Sequence, residues 1–335
     1  MKADRFETRA VRIHRHGGPE VLVVEDIALG SPAPGEAIVR NAAVGLNFID
    51  LHHRAGRYPL PPLPATLGME GAGVVEAVGE GVAEVAPGDR VAYVIGGHGA
   101  VPGAYAERAR LPARLLVPIP PELDDETAAA MTLKGLTAQY LLFGAYPLAA
   151  GETVLVHAAA GGVGLLLCQW AKRLGARVIG TVGSEEKGAL ARAHGCDHVV
   201  RYREEDVGRR VRALTAGEGV PVVYDGVGRD TFEASLACLR VRGTLVSFGT
   251  ASGPIPPFDV FRLNVMGSLY LTSAGLAWYT RSRPELLRRS AALLDVVLQG
   301  AVRVPVRQSW RLDEAPEAHR ALEGRETSGM SVLRP

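Results

Sequence analysis

Between residues 153 and 182 the chain runs through an apolar strand, a glycine-rich turn, a helix and a second apolar strand, an order compatible with few folds. Thr153-Val154-Leu155-Val156 suits a strand covered on both faces. Ala158-Ala159-Ala160-Gly161-Gly162-Val163-Gly164 follows, then a helical stretch from about Val163 to Leu174, then the apolar run Ala176 to Val182. On the G-x-G-x-x-G pattern, Ala159, Gly161 and Gly164 hold the three glycine positions. The first makes the tight turn, the second admits a pyrophosphate to the backbone, and the third lets the helix pack on the sheet. The helix N-terminus, opening through Gly162 and Val163, points free N–H groups and its positive dipole end at the phosphates. Alanine at the first position requires a slightly looser turn. A glycine-rich turn alone is a weak signal; strand before, helix after and strand next supply the context it needs.

The end of the second strand reports on which nucleotide binds. A site for NAD usually places Asp or Glu about 20 residues past the glycines, against the ribose 2′-hydroxyl. Here the strand end is Gly183-Ser184, with Lys187 in the first turn of the next helix. A hydroxyl, a helix N-terminus and a lysine suit a 2′-phosphate, and so NADPH. Glu185 and Glu186 compete, either as the ribose acid or as a solvated first turn.

The rest of the chain divides in two. At 335 residues it fits about two domains of roughly 150 residues each. Up to about residue 125, short apolar runs such as Ala37 to Arg40, Gly73 to Val78 and Asp89 to Val94 alternate with turn formers, as in a β-barrel-like unit. Beyond the glycine turn, His198 to Val200, Pro221 to Asp225 and Gly243 to Phe248 continue a strand–helix alternation, which implies an α/β fold with a doubly wound parallel sheet. The tail predicts an amphipathic helix from Pro284 to about Gln299, a strand from Val302 to Val306 and a last helix from about Asp313, with an acidic first turn and an early proline.

Composition weighs against several classes. The net charge of +1 gives nucleic-acid binding no support. The first residues lack the apolar core of a signal peptide, and no apolar run approaches the ~18 residues of a membrane-spanning helix. Cys168, Cys196 and Cys238 are far apart, forming neither a disulfide framework nor a metal-binding pair, which fits buried thiols in a reducing cytoplasm.

Gly151-Glu152, Leu155, Ala159-Ala160-Gly161-Gly162-x-Gly164, Gln169 and Lys172 together resemble the signature of the quinone oxidoreductase and zeta-crystallin branch of the medium-chain dehydrogenases/reductases. Gly45 to Asp50, Leu67 to Val75, Gly88 to Val91, Leu133 to Ala138 and Gly267 to Tyr270 resemble further landmarks of that branch, in the same order. The resemblance implies a GroES-like catalytic domain from residues 1–127 and 273–335 and a Rossmann NADPH-binding domain from 128–272. It implies that Lys187, Tyr202 and Arg325 clamp the 2′-phosphate, and that Asn47, Thr137, Phe248 and Gly249 contact the cofactor. It also implies a homodimer, with nucleotide-binding sheets meeting edge to edge near residues 268–272.

Zinc-dependent relatives in that superfamily use a Cys in the first segment and a His in a Gly-His-Glu segment. These positions read Asn47 and Met69 here, whose amide and thioether cannot hold zinc in place of thiolate and imidazole. His52 and His53 are adjacent, so they are expected to point to different sides of a regular element. No metal is therefore expected. Without a Lewis acid, an acceptor that takes hydride with little help is favoured. A quinone qualifies because its reduction restores an aromatic ring. Asn47, Asp50, His52 and Tyr58 are the polar candidates at the acceptor, with Tyr58 able to hydrogen-bond its oxygen. Two rivals stand beside this reading. One is an enoyl or enone reductase of the same fold, whose cleft the loop Gly96 to Gly103 would shape. The other is a non-catalytic NADPH-binding protein of crystallin or RNA-binding type.

Overall fold

The computed structural model describes residues 6–95 and 102–335, and the chain divides into two compact units. One comprises Met1–Lys134, Thr280–Ala291 and Val304–Pro335, the other Gly135–Tyr279 and Ala292–Arg303.

The second unit holds a six-stranded sheet. Its strands are, in chain order, Thr153–Val156, Arg177–Val182, His198–Arg201, Val220–Asp225, Leu239–Ser247 and Tyr270–Ser273. They stand in the spatial order third, second, first, fourth, fifth, sixth, all parallel. Helices Gly162–Arg173, Glu185–Ala193, Val207–Leu214 and Phe232–Cys238 make the crossovers. Every residue of Val220–Asp225 is buried, which is why the strand reads as an unbroken apolar run up to its last residue. The sequence order reverses between the first and fourth strands. Open α/β sheets bind ligands at such a switch point, beyond the carboxyl ends of the strands.

The first unit is antiparallel for the most part. Strand Glu36–Gly45 pairs with Glu70–Val78, Arg108–Pro112 and Met330–Arg334. Strand Arg90–Val94 follows Glu70–Val78, and Leu116–Pro118 closes that side. A smaller sheet of Val23–Ala28, Glu7–Ile13 and Ala65–Thr66 joins through a bridge between Ala10 and Ala106. Val11, Ile13, Val39, Val44, Tyr93, Leu111 and Leu333 form one core beneath both sheets.

Near the C-terminus the strand expected at Val302 to Val306 lies further on, at Val306–Arg311, pairing in parallel with Met330–Arg334. Pro305 has no N–H for a ladder and contributes only its carbonyl, to the Met330 N–H at 3.0 Å. The helix Arg283–Leu298, and Ala315–Glu323 preceded by a 3-10 turn at Leu312–Glu314, lie where the periodicity places them. Of the expected loop Gly96 to Gly103, residues 96–101 lie outside the described residues. Gly103 donates its N–H to the Gly68 carbonyl at 3.0 Å.

Candidate active site

The glycine turn is built as the sequence requires, with one difference. The residue in the left-handed region is Ala158, at φ 52°, one position before the expected tight-turn residue. Ala159 donates its N–H to the Thr181 carbonyl at 3.0 Å and is fully buried. A β-carbon at Gly180 would lie 2.6 Å from that of Ala159. Thus the second strand makes room for the alanine methyl by lacking a side chain there, and no looser turn is needed.

The two remaining glycines differ in what they avoid. A β-carbon at Gly164 would come within 2.3 Å of the Ala158 oxygen and 2.8 Å of Ala159, so this glycine serves helix-to-turn packing. At Gly161, in extended conformation as the residue capping helix Gly162–Arg173, a β-carbon would approach only the Ala158 oxygen, at 3.2 Å. The fold itself makes little demand for glycine there, whereas a pyrophosphate lying on the backbone would.

A polar network beneath the turn was not foreseen from the sequence. His157 is buried, with Nδ1 2.9 Å from Thr181 Oγ1 and Nε2 3.0 Å from Ser235 Oγ. Ser235 donates to Asp225 Oδ2 at 2.6 Å, so its oxygen accepts from His157 Nε2–H and Nδ1 accepts from Thr181. Burial holds the imidazole below its usual pKa, and so neutral, against the opposing pull of Asp225. Asp225 also accepts from the Val227 and Gly228 N–H groups and from Thr231. Polar residues ending otherwise apolar strands (His157, Thr181, Asp225) are the signal that could have revealed the network.

At the second strand's end, Ser184 caps helix Glu185–Ala193 and accepts the Lys187 N–H at 3.3 Å. The Tyr202 hydroxyl lies against Gly183, 2.8 Å from where a β-carbon would stand. Gly183, Ser184, Lys187 and Tyr202 thus gather at one corner. Glu185, the rival ribose acid, is exposed and engaged by Arg192 at 2.8 Å and Arg201 at 3.8 Å, and Arg192 lowers its pKa. Phe248 rests its ring on Gly226, and a β-carbon at Gly249 would lie 2.7 Å from the Gly226 oxygen. Thr137 is buried on helix Asp125–Tyr140. Arg325 is exposed in the first unit, at φ 59° just past helix Ala315–Glu323.

In the first unit Asn47 caps the short helix Phe48–Arg54. Its Nδ2 donates to Glu70 Oε1 at 2.9 Å and more weakly to the Gly45 carbonyl at 3.4 Å, and its side chain joins a capping box with Asp50. Glu70 is fully buried and also takes Lys134 Nζ at 2.6 Å and the Leu133 N–H at 2.6 Å. Asp50 is wholly buried as well. It accepts the Asn47 N–H at 2.9 Å and the Tyr105 hydroxyl at 3.0 Å, and burial pushes its carboxyl up to about 7. It therefore holds Asn47 from behind and has no surface to offer an acceptor. The Tyr58 ring lies 4.9 Å from that of His52 and 6.1 Å from that of His53, so the two histidines approach one tyrosine and do not point to opposite sides. Burial, with Arg57 nearby, lowers the pKa of His52.

This donor set does not fit zinc. Asn47 and Lys134 both spend a donor on Glu70, and no group of three His, Cys, Asp or Glu among the described residues is placed to hold a metal.

A Rossmann-type parallel sheet with a glycine turn after its first strand, together with a separate antiparallel unit that carries Asn47, is the architecture of a two-domain dehydrogenase. Residues 33–121 match the alcohol dehydrogenase GroES-like domain and residues 162–292 the zinc-binding dehydrogenase family. The chain is 49% identical to a quinone oxidoreductase of Pseudomonas aeruginosa, over 98% of this chain and 99% of that one. It is 43% identical to a 2-haloacrylate reductase of a Burkholderia species, covering 97% and 98%. The crystal structure of Escherichia coli quinone oxidoreductase complexed with NADPH superposes with a TM-score of 0.95 at 45% identity, covering 98% and 100%. The chain belongs to the quinone oxidoreductase family of the medium-chain dehydrogenases/reductases.

Proposed function

We propose that this protein catalyses the NADPH-dependent reduction of a quinone without a metal ion, in the cytoplasm. The observation that carries this reading is the match over nearly the whole chain to quinone oxidoreductases, one of them solved with NADPH. The residues present fit that cofactor. The open backbone at Gly161 and the N-terminal N–H groups of helix Gly162–Arg173 would hold the pyrophosphate. Ser184, Lys187 and Tyr202, with Arg325 as a further member, would hold the 2′-phosphate. Asn47, Thr137, Phe248 and Gly249 would serve the nicotinamide end. Bound NADPH supplies a hydride. The protein's own part is then to place and dry the acceptor. Tyr58 Oη donates a hydrogen bond to the acceptor oxygen, and Asn47 is a further polar residue at that site. His52 stays neutral near pH 7, in keeping with its lowered pKa.

A reductase of activated double bonds is the second reading, favoured by the 43% identity to the 2-haloacrylate reductase. NADPH consumption with a para-quinone and with an enoyl thioester, on protein dialysed against a strong chelator, separates the readings. Turnover with the quinone is expected to be the faster and to survive the chelator. Faster thioester reduction favours the second reading. NADPH binding without consumption would mean a non-catalytic binder, and activity lost with stoichiometric zinc would overturn the metal-free mechanism.

We also propose a homodimer. Tyr270–Ser273 is an edge strand of the parallel sheet, and Val241, Phe261, Val265 and Tyr270 expose large apolar side chains on its side of the unit. An unprotected edge of this kind favours pairing with a second copy. Sedimentation equilibrium of wild type and Tyr270→Lys tests it: the variant is expected to dissociate, and a monomeric wild type removes the proposal. Among the described residues no helix is long and apolar enough to cross a membrane.

A further inference from the structure

We infer that Arg54, His319, Tyr105 and Asp50 form a hydrogen-bond chain of one fixed direction that holds Asn47 in place, which makes Tyr105 and His319 positioning residues for the reaction. All four belong to the first unit, and three are far from Asn47's segment in the sequence or contact it only through another residue.

The direction follows from the chemistry of the donors. Arg54 can only donate, so His319 Nδ1, 3.1 Å from Arg54 Nη1, is the acceptor. A neutral imidazole that accepts at Nδ1 carries its proton on Nε2, which lies 3.2 Å from the Tyr105 oxygen. That oxygen therefore accepts, and the tyrosine proton goes to Asp50 Oδ2 at 3.0 Å. The same Oδ2 accepts the Asn47 N–H at 2.9 Å. Burial, aided by Arg54, holds His319 far down, to about 3, so the ring stays neutral and the direction does not reverse near neutral pH. At the far end Arg54, only 1% exposed, is fixed by the Gly17 carbonyl at 3.1 Å and by both oxygens of Glu323 at 2.9 and 3.0 Å. Asp50 Oδ1 is buried with no partner among the described residues, so the Asn47 and Tyr105 hydrogen bonds to this carboxyl both fall on Oδ2.

An ionised Asp50 makes both contacts at Oδ2 charge-assisted; a proton on it weakens them. The groups that bear on the carboxyl are the Asn47 N–H, Tyr105, Lys134 and Glu70, with His319 and Arg54 behind Tyr105. Burial is the largest influence and raises its pKa; the Tyr105 hydroxyl lowers it. Removing that hydroxyl should move the titration to higher pH.

The inference rests on the reading that Asn47 serves the reaction, so the test has one arm without substrate. The Asp50 carboxyl is followed by carbon-13 NMR through pH, assigned by difference from Asp50→Asn, in wild type, Tyr105→Phe, His319→Gln and His319→Leu, each checked for native circular dichroism. The expected result is an upward shift of about half a unit or more in Tyr105→Phe, with a matching shift of the acidic limb of kcat/KM. Glutamine at 319 can accept from Arg54 and donate to Tyr105, so His319→Gln should keep the wild-type titration and His319→Leu should not. Asp50→Asn should lose the limb, and it decides the matter should Tyr105→Phe fail to fold. A carboxyl titration unmoved in Tyr105→Phe overturns the chain, and a carboxyl that moves while the limb stays overturns its positioning role. Wild-type protein that reduces no quinone would instead sink the proposed function and leave the chain standing.

Discussion

Ala159 and Gly180 share one space: the alanine methyl of the glycine turn occupies the position that a side chain on the second strand would need, 2.6 Å away. Two departures from expectation, an alanine where a glycine is usual and a glycine inside a buried strand, are therefore one feature. We expect Gly180→Ala to destabilise the protein by roughly 1–3 kcal/mol, as overpacking of a close-packed interior does. The Ala159→Gly, Gly180→Ala pair should recover part of that loss. Recovery is incomplete because Cys196 Sγ would also lie 2.7 Å from the new β-carbon. Thermal unfolding of the single and double variants measures the coupling; purely additive effects would show that the two residues do not compete.

The glycines of the turn should separate by phenotype. Gly161→Val is expected to fold and to lose NADPH binding, since its side chain meets little of the protein but fills the space proposed for pyrophosphate. Gly164→Ala should lower stability first, because its β-carbon meets backbone at 2.3 Å. Isothermal titration with NADPH, together with melting temperatures, distinguishes them. Unchanged affinity in Gly161→Val would place the phosphates elsewhere.

Cofactor preference should depend on Lys187. A charge-assisted contact to phosphate contributes roughly 1.5–3 kcal/mol, or about one to two powers of ten in affinity. Lys187→Ala is expected to weaken NADPH by about that factor, to leave NADH nearly unchanged, and to reduce the salt dependence of the preference. A wild type that prefers NADH, or a variant that retains the NADPH preference, would return attention to Glu185.

Asp50 should leave a mark on stability as well as on rate. Its folded-state pKa of about 7 lies above that of an unfolded aspartate, ~3.9, so the folded state binds the proton more tightly. Stability contributed by this group is then present at low pH and lost as pH rises from about 4 to about 7. Asp50→Asn keeps an acceptor for Asn47 and Tyr105 but has no charge to bury. It should be more stable than wild type at pH 8, by on the order of 1–4 kcal/mol, with the advantage vanishing near pH 4. Chemical denaturation at both pH values checks this, and an equal difference at each would refute the assignment.

Much of this protein was legible along the chain because its signals are local. Thr153–Val156, the glycines and the helix after them are contiguous, and a buried parallel strand must be apolar throughout, so the nucleotide unit declared itself from residue types alone. The strand end at Gly183-Ser184, with Lys187 one turn on, was readable for the same reason. What the chain could not declare was which distant polar groups meet in the interior. His157, Ser235 and Asp225 converge only after two strands are laid side by side and helix Phe232–Cys238 is packed on them, and His319 meets Arg54 across 265 positions and Tyr105 across 214 only once the first unit has closed. Asp50 stands in a motif that invites a catalytic reading, yet its complete burial makes it a support for Asn47. Sequence determined the fold, the glycine turn and the family, since these rest on periodicity, backbone freedom and contiguous motifs. Tertiary structure alone decided which polar side chain is buried against which, because the cost of leaving a buried donor or acceptor unpaired is settled only between residues that folding brings together.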